Sequence, residues 1–192
     1  DLHSFPTRRS SDLYSYRVIL KEIGDNTVRF TALRAGDVDM IECTPYEWVQ
    51  QIVEGKLKGI GYAKAARAGA RNLEFNVADP PFNNKKLRLA IAHALDRKEI
   101  LQAAYHGLAD AADQRFPKGH YWNFDVPSPA FDQNKARALL KEAGYKGETL
   151  ELMGNRGEVA DIEGATIQAQ LKRIGVKVEL KILERASALE DE

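Results

Sequence analysis

Cysteine, net charge and long apolar runs are the features that this sequence has least of. Cys43 is the only cysteine in 192 residues, so no disulfide forms within the chain and a disulfide-stapled scaffold is excluded. The 28 basic and 28 acidic residues leave no net charge, which removes the electrostatic attraction to nucleic acid or anionic membranes. No apolar run approaches the roughly 20 residues of a bilayer-spanning helix. A hydrophobic content of 44% indicates a folded globular chain.

Catalytic signatures are equally scarce. The chain has neither a Gly-x-Ser-x-Gly elbow nor a Gly-Lys-Ser/Thr phosphate loop, and His93, His106 and His120 lack zinc-site spacing. We therefore predict no catalytic residue, no metal ligand and no cofactor. One alternative stays open: Asp37 and Asp39 would share a face of a predicted strand, where two carboxylates could hold a cation or serve an α/β enzyme.

Strands and helices alternate along the first half of the chain. Alternating apolar residues predict strands at residues 16–21, 38–42, 58–64 and 71–77. Helices are predicted at residues 28–35, after a cap at Asp25 or Asn26, and at residues 46–53. The alternation predicts an α/β fold with a largely parallel or mixed sheet.

Residues 71–97 contain the most distinctive pattern of the chain: a predicted strand, a proline stop and two predicted helices. Leu73, Phe75 and Val77 alternate with polar residues, and the following prolines end this predicted strand. A helix then begins after Asn84, and Asp96 caps a second helix with Glu99 at the capping-box position.

The second half contains a long loop and a β-α-β pattern. Residues 108–130 show little periodicity, and their aromatic residues predict that the loop packs against the protein. A helix capped by Asp132 is predicted at residues 133–143. A strand at 149–153, a helix at 161–174 and a strand at 176–182 complete the pattern.

Several of these segments together resemble the family 5 solute-binding proteins of bacterial ABC importers. The resemblance rests on an ordered set of phrases: Phe75-Asn76, Pro81-Phe82, Arg88-Leu89-Ala90-Ile91, Asp96-Arg97, Ala32-Leu33-Arg34-Ala35-Gly36-Asp37-Val38-Asp39, Lys135-Ala136-Arg137-Ala138-Leu139-Leu140-Lys141-Glu142-Ala143-Gly144-Tyr145 and Gln170-Leu171-Lys172-Arg173-Ile174-Gly175-Val176. It covers residues 14–183, less than half of a typical member.

The resemblance implies parts of two α/β lobes of a type II periplasmic-binding-protein fold. Residues 14–95 would belong to the first lobe, and residues 96–192 would begin an incomplete second lobe. Residues 1–13 resemble the translation of a sequencing-library adapter, so we predict that they are not native protein and exclude them from fold reasoning.

The candidate ligand site is defined by topology. In open α/β sheets, ligands bind outside the carboxyl ends of the strands, which here are predicted at Cys43, Thr44 and Asn76. The Asn76 amide offers both a donor and an acceptor at such a position. In the alternative interpretation, Asn76 only satisfies loop backbone groups.

The resemblance also implies a function without covalent chemistry. The chain would bind a peptide, or another solute such as a nickel complex, an opine or a sugar, and deliver it to ABC permease subunits. It would be a periplasmic or extracytoplasmic monomer, compatible with a lipid anchor, and would not bind nucleic acid. The alternatives are the α/β enzyme above and a cytoplasmic regulator that carries the same module.

Overall fold

The computed structural model describes residues 18–64, 70–116, 120–124 and 128–183. The chain divides into two compact units, the first ending at Pro45 and the second beginning at Tyr46. The first unit contains α1 (Asn26–Ala35). The second contains α2 (Tyr46–Val53), α3 (Lys85–Ala94), α4 (Arg97–Tyr105), α5 (Gln133–Ala143), β1 (Thr149–Asn155), α6 (Glu158–Arg173) and β2 (Lys177–Leu183). Helices and parallel strands thus form an α/β structure, as predicted.

Local sequence signals place the ends of several helices. The Asp25 carboxylate accepts a hydrogen bond of 2.8 Å from the backbone N–H of Val28, which caps α1, and Gly36 ends that helix with φ of +81°. The Asp132 carboxylate caps α5 in the same way, and Gly144 ends α5 with φ of +71°. These caps were predicted, because a cap depends on residues within one helical turn.

Four predicted strands are not observed as strands. Among the described residues, 18–21, 38–42, 58–64 and 71–77 join no β-ladder. The alternation itself is real in the last of these segments, where Leu73 and Phe75 are half-buried between exposed neighbours. Alternation determines which face of a segment is buried, whereas a strand also needs a neighbouring backbone at hydrogen-bonding distance. Residues 16 and 17 lie outside the described residues, as does the segment 1–13.

The predicted β-α-β unit is confirmed. β1 and β2 pair in parallel, with Thr149 opposite Lys177 and Asn155 opposite Leu183, and α6 forms the connection between them. After α6, the chain turns at Gly175, whose φ is +88°. The backbone N–H of Val176 then donates to the carbonyl of Leu171, and this turn leads the chain into β2.

The core of the second unit lies where α3, α5, α6 and the two strands meet. Ala90, Ala94 and Ala136 are fully buried, and their small side chains let α3 and α5 approach closely. The larger buried members of this cluster are Leu87, Ile91, Leu140, Leu150, Leu171, Ile174 and Val176. Residues on both sides of the predicted lobe boundary at residues 95 and 96 therefore share one core. The division into lobes at that boundary stays a prediction.

The long loop after α4 is attached to the helices at its far end. The ring Nδ1 of buried His93 lies 2.6 Å from the carbonyl oxygen of Ala130, and Arg97 donates to the Ser128 hydroxyl at 2.6 Å. The loop's aromatic side chains contact one another, with Phe116 stacked on His120 at 4.7 Å. Trp122 is nevertheless 53% exposed. Tyr121 and Phe124 are exposed as well, so the contacts of His93 and Arg97, and not these three aromatic side chains, hold the loop against the helices.

Candidate functional site

Asn76 lies in the second unit, just before the Asp79–Pro81 turn. Its side-chain oxygen accepts a hydrogen bond of 3.1 Å from the backbone N–H of Ala78, and its amide nitrogen donates to Asp79 at 3.3 Å. These bonds orient the exposed amide. One amide hydrogen and one oxygen lone pair stay available for a further partner. Both interpretations of Asn76 therefore have a geometric basis. Its side chain satisfies the N–H of a loop residue, and it still presents a donor and an acceptor to solvent, where a ligand could bind.

Cys43 and Thr44 lie at the end of the first unit. The Cys43 carbonyl accepts a hydrogen bond of 3.2 Å from the Arg29 guanidinium, its φ is +54°, and its thiol is exposed. Thr44 is half-buried and precedes Pro45. Because residues 38–42 do not form a strand, these two residues do not occupy a strand end. Their role in binding a ligand stays a prediction.

The structure shows where the histidines and aspartates that were considered for an enzyme lie. Within the described ranges, no group of three or more His, Cys, Asp or Glu side chains is arranged to hold a metal ion. His93 contacts the Ala130 carbonyl and His106 ends α4 in the left-handed conformation. Asp37 accepts a hydrogen bond from Lys21 through its backbone carbonyl, not through its carboxylate. The shared strand face predicted for Asp37 and Asp39 does not form.

A fully buried polar side chain with three hydrogen bonds, Gln170, was missed by sequence reasoning. Gln170 is completely buried on α6. Its oxygen accepts from the backbone N–H of Asp96 at 2.9 Å, and its nitrogen donates to the Asp96 carbonyl at 3.1 Å and to Glu99 at 3.0 Å. Gln170 therefore joins α6 to the start of α4. The sequence drew attention to Gln170 only as the first residue of the Gln170–Val176 phrase, which did not indicate its hydrogen bonds.

This arrangement corrects the predicted capping box. The Asp96 carboxylate accepts from the N–H groups of Lys98 and Glu99, as expected of an N-cap. In a capping box the Glu99 carboxylate would accept from the Asp96 N–H, but Gln170 occupies that position. The Glu99 carboxylate instead accepts two hydrogen bonds of 2.7 Å from Arg173, one at each oxygen.

The Glu99–Arg173 ion pair makes stability depend on pH. Hydrogen bonds from Arg173 hold the pKa of Glu99 below its ordinary value, while burial opposes this effect and the Gln170 amide adds to it. Since the pKa is lower in the folded chain than in the unfolded chain, the stabilisation is complete above the ordinary carboxyl range. It is lost as the pH falls through the lowered pKa.

We therefore expect the free energy of unfolding of Glu99→Gln to depend less steeply on pH in the acid range than that of the unchanged chain. Urea denaturation across the acid and neutral range measures this, with Glu179→Gln as the control, because the exposed Glu179 side chain lies on β2 away from this pair. If the free energy of unfolding of Glu99→Gln depended on acid pH as steeply as that of the unchanged chain, the role assigned to the ion pair would be contradicted.

A second polar cluster attaches the 71–77 segment to α6. The Tyr105 hydroxyl donates to Glu163 at 2.5 Å, and the Arg71 guanidinium lies 2.7 Å from the other oxygen of the same carboxylate. Burial, and then the Glu163 carboxylate, raise the pKa of Tyr105. The Tyr46 ring contacts Tyr105 edge-on at 4.9 Å, which adds α2 to this cluster.

None of the helices in the described ranges combines the length and apolar composition needed to cross a membrane.

Comparison with known proteins gives a family match over most of the chain. The family described as "Bacterial extracellular solute-binding proteins, family 5 Middle" matches residues 10–192. The match begins within the segment 1–13, whose predicted adapter origin stays a prediction.

Individual relatives agree with this match. The chain is 30% identical over 167 residues to the glutathione-binding protein GsiB of Salmonella typhimurium, covering 85% of this chain and 32% of GsiB. DppA of Helicobacter pylori, solved with the peptide STSA, is 30% identical with a TM-score of 0.76, covering 88% of this chain and 33% of DppA. AgaA of A. tumefaciens R10, solved with agropinic acid, is 29% identical with a TM-score of 0.70, covering 87% of this chain and 34% of AgaA. The chain thus spans about a third of the length of these relatives.

Proposed function

Because the chain belongs to the family 5 bacterial extracellular solute-binding proteins, we propose that it serves in the solute-binding component of an ABC importer. The predicted family is confirmed, and so is the predicted periplasmic-binding-protein-like fold. The observation that best supports the proposal is the likeness to DppA, which combines 30% identity with a TM-score of 0.76 over 88% of this chain.

The proposed ligand is a peptide or a small solute with similar polar groups. Glutathione, the peptide STSA and agropinic acid appear in the names of three relatives. Peptides carry amide and carboxylate groups, which a protein holds with backbone groups and with side chains that both donate and accept. Asn76 has these properties, and we propose that it contacts the solute. Thr44 and Cys43 are the other residues that we propose for solute binding.

Function in this proposal comes from binding and conformational change, without covalent chemistry. Two lobes would close on the solute about a hinge, and the permease would distinguish the closed state from the open one. The solute must bind the closed state more tightly, since otherwise it would not shift the equilibrium. The proposal places the protein outside the cytoplasm as a monomer whose partners are the solute and the permease subunits, with no nucleic acid involved.

A chimera tests the proposal. Residues 14–183 would replace the matching segment of GsiB, and isothermal titration calorimetry would measure binding of glutathione and of a dipeptide panel. We expect at least one of these solutes to bind. Asn76→Ala should weaken that binding about tenfold, a loss of about 1.4 kcal/mol, whereas Asn72→Ala, at an exposed position of the same segment, should leave it unchanged. A folded chimera that binds none of these solutes would contradict the proposal.

A further inference from the structure

A pocket lies between the start of α3 and the end of α5. Pro81 and Asn84 line it from the turn that precedes α3, Leu87 lines it from α3, and Ala143 and Tyr145 line it from the end of α5 and the turn after it. The cavity has a volume of about 200 Å³, which is several times the space that one water molecule occupies. The pocket therefore has room for a small organic group.

Hydrogen bonds between the walls fix the shape of this pocket. The Asn84 amide donates to the carbonyl of Ala143 at 3.0 Å, and the Asn84 side-chain oxygen accepts from the N–H of Lys86 at 3.0 Å. One side chain thus caps α3 and joins it to α5. The Tyr145 hydroxyl donates to the backbone carbonyl of Glu148, which also lines the pocket. The walls are therefore in place before a ligand arrives, which lowers the entropic cost of binding.

The floor of the pocket is apolar and its rim is polar. Leu87 is 2% exposed, and Pro81 and Tyr145 are half-buried. Asn83 and Glu148, the polar residues at the rim, are both exposed. Such a lining suits a ligand with an apolar stem and a polar head, which is the make-up of a lysine side chain.

The charge of the pocket comes from Glu148, the one charged residue in its lining. One oxygen of this carboxylate accepts from the backbone N–H of Lys146 at 3.0 Å, and no side chain in the described part of the chain forms a hydrogen bond or an ion pair with it. The backbone N–H groups of Glu148 itself and of Lys146 lower the pKa of Glu148, so the carboxylate is ionised at neutral pH. Lys86 does not neutralise it, because Lys86 is paired with Glu142 at 3.0 Å. The pocket therefore favours a cation.

We propose that this pocket binds a primary ammonium group on a short apolar stem, with the stem against Leu87 and Pro81 and the ammonium at the Glu148 carboxylate. A small alkylamine and the lysine side chain of a peptide share this chemistry. The pocket contains none of the residues proposed for solute binding, so the inference goes beyond the proposed function and does not rest on it.

The test titrates the isotope-labelled 192-residue chain with n-butylammonium and with a lysine derivative capped at both ends, and follows the backbone amides by NMR. We expect saturable shifts at Gly144 and Tyr145, with a Kd of about 1 mM for at least one of the two compounds. The compound that binds more tightly identifies the source of the ammonium group. Neutral n-butanol and anionic butyrate should give no saturable shift, because neither carries the positive charge.

A pair of variants locates the binding. Glu148→Gln should weaken it about tenfold, because the substitution removes the charge and keeps the shape of the side chain. Glu179→Gln is the matched control, since it removes one negative charge from an exposed side chain outside the lining and should leave the Kd unchanged.

Three results would overturn the proposal. The absence of saturable shifts with both ammonium compounds would show that the pocket does not bind this group. Equal binding of n-butanol would show that the charge has no part in recognition. An unchanged Kd in Glu148→Gln would place the binding at another carboxylate. The calorimetric test of the proposed function uses the chimera and Asn76→Ala, which leaves this pocket unaltered, so the two inferences fail separately.

Discussion

Replacing Gln170 by leucine is expected to lower the free energy of unfolding of the second unit by about 3 kcal/mol, since buried groups left without partners each cost about 1–3 kcal/mol. Gln170 is fully buried, and its amide makes three hydrogen bonds of 2.9–3.1 Å to Asp96 and Glu99. Leucine has a similar volume, so packing changes little while the Asp96 N–H and C=O lose their partner. The loss arises at the junction of α4 and α6.

The matched control is Gln168→Leu on the same helix. Gln168 is half-buried and makes one hydrogen bond of 2.7 Å, to the Val178 carbonyl, so its loss should cost about 1 kcal/mol. Urea denaturation followed by tryptophan fluorescence measures both variants, since Trp48 and Trp122 are present as probes. Equal costs for the two variants would mean that the buried network at Gln170 has no special role.

Truncating Leu87 to alanine is expected to cost about 3 kcal/mol, within the range of 2–5 kcal/mol measured for buried leucines. Leu87 lies on α3 with 2% of its surface exposed and belongs to the main core cluster. The fully buried Ala90 and Ala136 hold α3 and α5 in place, so the helices cannot easily move inward to fill the space left by the missing carbons.

Leu89→Ala is the control for this truncation. It removes the same atoms from the same helix, at a half-buried position outside the core cluster, and should cost about 1 kcal/mol or less. Urea denaturation gives both values, and circular dichroism checks that each variant keeps its helices. A smaller loss in Leu87→Ala than in Leu89→Ala would show that the core is not centred on α3.

The parts of the fold that the sequence predicted are those that depend on neighbouring residues. Asp25, Asp96 and Asp132 cap helices as expected, since each bonds to N–H groups two or three residues ahead. The β-α-β unit was also predictable, because its periodicity is strong and its connection is short.

The candidate site was less predictable. Asn76 was identified from the end of an alternating segment, and the structure shows its amide exposed beside the Asp79–Pro81 turn. Cys43 and Thr44 were chosen as the end of a strand that does not form. The error arose because a strand assignment needs a partner, and no local pattern identifies that partner.

By itself, the sequence determined the family, the α/β class and the residues that cap α1, α4 and α5. Only the tertiary structure decided that Gln170 replaces Glu99 as the partner of the Asp96 N–H, and that residues 71–77 join no β-ladder within the described part of the chain. The physical reason is the distance along the chain. A cap involves residues within one helical turn, whereas Gln170 meets Asp96 across 74 residues, and a β-ladder requires two backbones that only folding brings together.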